Sequence, residues 1–316
     1  LSDSLTVTTD DTLSSKLIVT EDASLNSTLY VQKETTLVGA TSLSDSLTVA
    51  KDANLSSKLF VTEDASLNST LYVQKETTLV GATTISDNLT VTKDASLNST
   101  LYVQGTTTMV GAASLSDSLT VTKDATLSSK LFVTEDASLN STLYVQKETT
   151  LVGATSLNNS LTVAKDANLS SNLFVTKDAS LNSTLYVQGA TTMVGAASLS
   201  DSLTVTKDAT LSSKLFVTKD ASLNSTLYVQ GATTMVGAAS LSDSLTVTKD
   251  ASFNSKLFVT EDASLNSTLY VQKETTLVGA ASLSDSLTVA NDASFNSKLF
   301  VTEDASLNST LYVQKE

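Results

Sequence analysis

An apolar residue opens almost every sixth position of this chain, from Leu1 to Leu307. The first hexads read LSDSLT, VTTDDT, LSSKLI, VTEDAS, LNSTLY, VQKETT and LVGATS, and LSDSLT returns at Leu43. Seven hexads make a 42-residue block that recurs along the chain, and one block, at 85–114, is shorter by two hexads. A short fixed period means that no unit buries its apolar face alone, so neighbours must stack.

The spacing inside the hexads predicts strands. The inward candidates at the start are Leu1, Leu5, Val7, Leu13, Leu17, Val19, Ala23 and Leu25, with gaps of mainly four and two. A gap of two keeps both side chains on one face of a strand, and the gap of four inserts a bend. A helical stripe needs gaps that alternate three and four, a pattern this chain lacks although 42 is divisible by seven. Thr and Val fill the strands, and Asn, Asp, Ser and Gly gather at the bends. Proline is absent, as suits strands hydrogen-bonded on both edges.

The expected fold is therefore all-β: a β-solenoid or β-helix of hexapeptide strand-and-bend units over 1–316. Three hexads per turn give an 18-residue triangular coil, the left-handed β-helix form, and two give a flatter 12-residue coil. The short block favours twelve, since loss of one 12-residue coil preserves register. So does the alternation of Leu47/Val49 with Ala53/Leu55, which sets large residues opposite small ones. The odd number of hexads per block speaks against twelve, and the choice stays open. The chain starts without Met and stops mid-hexad at Glu316, so a slice of a longer array, without its caps, is expected.

Between the two inward residues of each Leu-x-Val strand lies one outward position, which cycles through Thr, Phe and Tyr. Ile18 takes the Phe place once, and Phe253 and Phe295 fall at inward sites. The outward rings are Tyr30, Phe60, Tyr72, Tyr102, Phe132, Tyr144, Phe174, Tyr186, Phe216, Tyr228, Phe258, Tyr270, Phe300 and Tyr312. Cross-strand stacking on a solvated face is one reading of them. The other is a self-association ridge covered by further copies of the chain, in a homotrimer or lateral bundle, because contiguous apolar patches are rare on soluble monomers. Three chains intertwined in one triple-stranded β-helix would hide the rings equally well.

Composition narrows the chemistry. Apolar residues are 41% and aromatics 5% of the chain, so the core must be thin. No apolar run is long enough to span a membrane. All 19 basic residues are Lys, against 33 carboxylates, for a net charge of −14. A nucleic-acid binder needs a basic stripe, so nucleic acid is not an expected partner. Without His or Cys the usual general base and thiol nucleophile are missing. The neighbours Ser57/Lys58, Ser129/Lys130 and Ser213/Lys214 read as a repeated polar bend, since adjacent strand residues face opposite ways. No catalytic residue, cofactor or metal site is assigned.

Three weaker signals remain. The pairs Glu21-Asp22, Glu63-Asp64, Glu135-Asp136, Glu261-Asp262 and Glu303-Asp304 could offer oxygen ligands to Ca²⁺, but Lys177-Asp178 and Lys219-Asp220 would break a ligand column. Asn-Ser-Thr begins at Asn26, Asn68, Asn98, Asn140, Asn182, Asn224, Asn266 and Asn308, the pattern of a glycosylation acceptor and equally of a bend. Thr-Val-Thr at Thr6/Thr8 and Thr120/Thr122 is similar to the threonine arrays of ice-binding solenoids, but becomes Thr-Val-Ala at Thr48 and Thr162. One internal coupling also stands out. Bends reading QKET precede inward Leu37, Leu79, Leu151 and Leu277, whereas QGTT and QGAT precede Met109, Met193 and Met235. Cassette copying explains it more simply than packing compensation.

Repeats such as DASFNSKLFVTEDASLNSTLYV at 250–271 resemble repetitive fibre and tail-fibre-like proteins of phages and of large viruses of marine algae. The resemblance implies a rigid, often trimeric, virion-attached fibre and transfers no functional residue. Surface adhesin stalks use similar repeats. The expected function is a structural fibre or stalk on a virion or cell surface, outside the cell, that projects a distal binding part. The alternative is a repetitive adhesin whose regular face binds glycans or another surface.

Overall fold

A computed structural model describes residues 5–314. The chain divides into two compact units, Leu1–Asn158 and Asn159–Glu316, and each is a parallel β-solenoid. The first holds twenty-six strands from Leu5–Val7 to Thr155–Leu157, and the second twenty-six from Leu161–Val163 to Leu311–Val313. Every strand is three residues long, and the described residues contain no helix.

Within each unit a strand pairs with the one eighteen residues on: Leu59 lies opposite Thr77, Thr77 opposite Ala95 and Ala95 opposite Ala113. Three hexads therefore close one coil, and successive strands go to three successive parallel sheets. The backbone ladder continues into the bends. Leu71 N donates to Asn88 O at 2.9 Å on one side, and Gln74 N to Leu55 O at 2.9 Å on the other. Each coil within a unit is thus bonded to both neighbours, so a proline at a strand start would remove a donor from the ladder.

The 18-residue coil accounts for the two features that suggested twelve. The short block keeps the same pairing, with Thr83 opposite Leu101 and Leu101 opposite Leu119. Removing any whole number of hexads leaves the inward pattern intact and changes only which sheet a strand joins. The alternation of large and small works along each sheet: Leu47 lies on Ala65, Ala53 on Leu71, Leu59 on Thr77 and Thr83 on Leu101. Three is odd, so alternating hexads bring a bulky residue against a small one in the next coil. A two-hexad coil would set Leu47 against Leu59 instead. Where a block ends with two small slots, as at Thr77 and Thr83, the alternation slips and Leu71 meets Leu89.

The core is a stack of Leu, Val and Ala, with Phe253 and Phe295 fully buried. Phe253 is seated between Met235 and Val271, so the soft Met side chain meets the largest residue of the core. Ten threonines also point inward and are buried, among them Thr35, Thr77, Thr149 and Thr275, and their hydroxyls find no hydrogen-bond partner. An unpartnered buried hydroxyl costs about 1–3 kcal/mol. Thr149→Val keeps the shape and removes that oxygen, so denaturant unfolding should show a gain of about 1 kcal/mol.

The glycines mark close approaches between coils rather than unusual backbone, since none has a positive φ. A Cβ on Gly81 would lie 2.4 Å from the Glu63 carbonyl carbon and 2.5 Å from Asp64 Oδ1 in the coil before it. Gly39 is tucked against Glu21 and Asp22 in the same way. Gly81→Ala must push two coils apart locally, and a loss of about 1–3 kcal/mol in the same unfolding measurement is expected.

Candidate functional site

The side chains that could act on a partner are the outward residue of each strand and the three-residue bends. Strand alternation fixes the first set. From Leu17–Val19 to Ala293–Phe295 each three-residue strand buries its ends and leaves its centre the more exposed, and on every sheet the centres are mostly Ser, Thr and Asn. The rings interrupt these hydroxyl rows singly. Phe60 is flanked by Ser42 and Thr78, Tyr72 by Asn54 and Thr90, and Tyr228 by Thr210 and Thr246.

The fourteen rings do not form one ridge. In the first unit Phe60 and Phe132 share one sheet, Tyr30 and Tyr102 the second, and Tyr72 and Tyr144 the third. In the second unit the sets are Tyr186, Phe258 and Tyr312; Phe174, Tyr228 and Phe300; and Phe216 and Tyr270. Seven hexads are two coils and one strand, so each full block shifts its rings to the next sheet. Rings on one sheet stand three or four coils apart, about 14–19 Å at about 4.8 Å per coil. The phenylalanines are the more exposed, Phe60 at 40%, and the tyrosines from Tyr30 to Tyr270 are half-buried. The threonine pairs are likewise no array: Thr120 stands between Tyr102 and Ser138, and Thr48 between Tyr30 and Ser66.

The bends are joined from coil to coil by two recurrent brackets. In the first, an Asp at the end of a bend accepts from the Ser and Thr of the next coil's Asn-Ser-Thr. Ser69 Oγ lies 2.6 Å and Thr70 N 3.2 Å from Asp52 Oδ1, and Ser141 and Thr142 repeat this at Asp124. The tripeptide read as a glycosylation acceptor therefore has a structural use for its last two residues, while the Asn side chains are exposed. At Asn98 the pattern changes, because Ala82 holds the bracket position, and Thr100 Oγ1 donates forward to Asp117 Oδ2 at 3.0 Å. In the second bracket the Asp of Glu-Asp or Lys-Asp accepts the amide of an alanine that follows glycine. Ala82 N lies 2.8 Å from Asp64 and Ala112 N 2.8 Å from Asp94. These carboxylates are occupied within the ladder, and no group of three or more metal-ligating side chains occurs among the described residues.

Lysine and glutamate form a third link. Lys16–Glu34, Lys58–Glu76, Lys130–Glu148 and Lys256–Glu274 are ion pairs of 2.6–2.8 Å, each eighteen residues apart. Lys58 and Lys130 thus answer to a carboxylate in the next coil. Reading the chain in columns of eighteen exposes this signal, which hexad reading missed. Where the QKET glutamate is replaced by Thr106 or Ala190, the residue eighteen earlier is Asn88 or Asn172. In each case the asparagine Oδ1 accepts from that residue's backbone N–H at 2.8 Å. Lys214 with Ala232 is the exception.

Folding also sorts the charge. In the first unit one edge, built from bends such as 44–46, 62–64, 116–118 and 134–136, carries Asp10, Asp45, Glu63, Asp64, Asp117, Glu135 and Asp136 and no lysine. The lysines of that unit lie on the other two edges, among carboxylates. Beside two Lys–Glu steps lie open troughs. One, of about 360 Å³, is lined by Glu76, Thr78, Asp94, Ser96 and Ser114. The other, of about 390 Å³, is lined by Glu274, Thr276, Asp292, Ser294 and Tyr312. They occupy equivalent positions in the two units.

No protein-family model matches the chain, and neither does any curated protein or solved structure.

The Ser hydroxyl, and then the backbone amide, hold the carboxyls of Asp10, Asp124, Asp166 and Asp292 below the ordinary aspartate value. A lowered folded-state value adds stability above the unfolded aspartate pKa of about 3.9 and forfeits it as pH falls through the folded value. The melting temperature should hold from neutral pH to about pH 5 and drop below about pH 4. Asp124→Asn keeps an acceptor, as Asn88 and Asn172 do natively, but loses the charge that these bonds favour, so it should lower the melting temperature slightly at pH 7 and make the acid limb shallower.

Proposed function

We propose that the chain is a structural fibre or stalk segment, a surface appendage of a virion or cell that works outside the cell and holds a distal binding part away from its anchor. The observation that carries this reading is the uninterrupted eighteen-residue pairing within each unit. Every coil repeats the strand pairing of the one before it around the same closed apolar interior. A solenoid of this kind gains length with each added block while every interface stays local. The short block at 85–114 is a natural instance of such editing, since its pairing is unchanged. Stiffness suits the role: parallel ladders run coil to coil on three sides, and ion pairs and Asp brackets tie the bends. The reading assigns no catalysis to the chain.

Self-association as a homotrimer or bundle belongs to this proposal in a restricted form. Because the rings divide among three sheets in each unit, a lateral contact between two copies through one sheet covers only that sheet's rings.

Length tests the proposal. A variant with three additional 42-residue blocks gains seven coils, and small-angle scattering should show a maximum dimension longer by about 34 Å. The forward scattering of the same sample gives the mass, and a trimer should read three times the chain. A particle that grows equally in all directions would remove the stalk reading, and a single-chain mass would remove the trimer.

A further inference from the structure

The two troughs are the places where the outward row and the bends act together. In the first unit the floor is Thr78, Ser96 and Ser114, with Phe60 in the strand before and Phe132 in the strand after. Its wall is the column Lys58, Glu76, Asp94, in which Lys58 is paired to Glu76 at 2.6 Å and Asp94 accepts from Ala112 N at 2.8 Å. In the second unit the floor is Thr276 and Ser294 between Phe258 and Tyr312. Its wall is Lys256, Glu274, Asp292, with Lys256 on Glu274 at 2.7 Å and Asp292 held by Ser309 at 2.6 Å. The same ring, hydroxyl floor, ring and carboxylate wall thus recur in two separate units.

We propose that these troughs bind a segment of neutral polysaccharide. Hydroxyls on the floor both donate and accept, matching a ligand that is itself a run of hydroxyls. The wall offers charged acceptors whose positions are already fixed by a lysine or an amide, so ordering them on binding adds little cost. Rings at the two ends present apolar faces to the C–H faces of sugar rings. The remaining polymer classes fit worse. An anionic polymer meets the carboxylates of Glu76 and Asp94 on the wall, where Lys58 is already paired to Glu76. Lys75 and Lys93 stand in the same bends and make the anionic comparison a decisive one. A peptide that adds as a strand needs unpaired backbone groups, and those of the first trough's strands at 77–79, 95–97 and 113–115 are spent in the coil-to-coil ladder. Each site is small, and two on one chain strengthen binding to a polymer through effective concentration. The inference is independent of the stalk reading: loss of sugar binding would leave the growth in length per block untouched.

Affinity electrophoresis of the full chain tests it, in gels cast with galactomannan, xylan, dextran or hydroxyethylcellulose, and with alginate as the anionic comparison. At least one neutral polymer should retard the chain, alginate should not, and about 0.5 M NaCl should leave the retardation in place. Phe60→Ser, Phe132→Ser and Phe258→Ser together should weaken it at least about fivefold. Serine already fills that outward slot at 24 and 42, and the melting curve checks that the variant folds. Phe174→Ser with Phe216→Ser removes two rings that lack the Glu–Asp wall, and should leave retardation unchanged. The proposal is overturned if no neutral polymer retards the chain, or if both variant sets lose retardation equally. It is overturned too if the trough variant loses none, or if about 0.5 M NaCl abolishes the retardation.

Discussion

Everything in this protein depends on a pairing between residue i and residue i+18. That pairing uses the strongest obligatory groups the chain has, its backbone N–H and C=O, and continues them through the bends. Once it is set, each side chain has one neighbour above and one below, of known identity, on the same sheet or the same edge. Core packing, ion pairs and bend brackets are all consequences of that vertical neighbour. Leu59 meets Thr77 and not Ala53, and Lys58 meets Glu76 and not Asp52, for the same reason.

The second constraint is the mismatch between a seven-hexad block and a three-hexad coil. It spreads each feature of the block over three sheets and three edges, so the rings become isolated points in rows of hydroxyls. A patch that looks continuous when the outward slots are read in order is dispersed by folding. The short block moves its features by a different number of strands, and this helps make the two units unlike in detail. The first unit gathers seven carboxylates on one lysine-free edge, and the second spreads its lysines over all three. Net charge alone gives no hint of that.

The bends show why low complexity is not lack of specificity. Asn-Ser-Thr, Glu-Asp and Val-Gly-Ala look like interchangeable polar connectors, yet each has a fixed partner one coil away. Ser69 and Thr70 need Asp52, and Ala82 needs Asp64 below a glycine with no room for a Cβ. Asparagine at 88 and 172 keeps the amide bracket where Asp is missing, because a carbonyl oxygen accepts as a carboxylate does. The coupling of QKET with Lys eighteen residues earlier is thus an electrostatic pairing between coils.

By itself the sequence determined the strand, the bend, the inward Leu, Val and Ala stack, and the outward position of fourteen rings, because these follow from side-chain alternation within six residues. Burial of Phe253 and Phe295 was legible for the same reason. The number of hexads per coil was not, since a spacing of two or three keeps the same residues inside and the local chemistry is identical. Only the closed coil decided it, and in that coil the bulky first residue of a strand mostly lies against a small one, with Leu71 on Leu89 among the exceptions. With that single number came the vertical neighbours, and with them the ion pairs, the brackets, the acidic edge and the troughs. Contacts made between coils have no local signature. They become readable only when the column spacing is known.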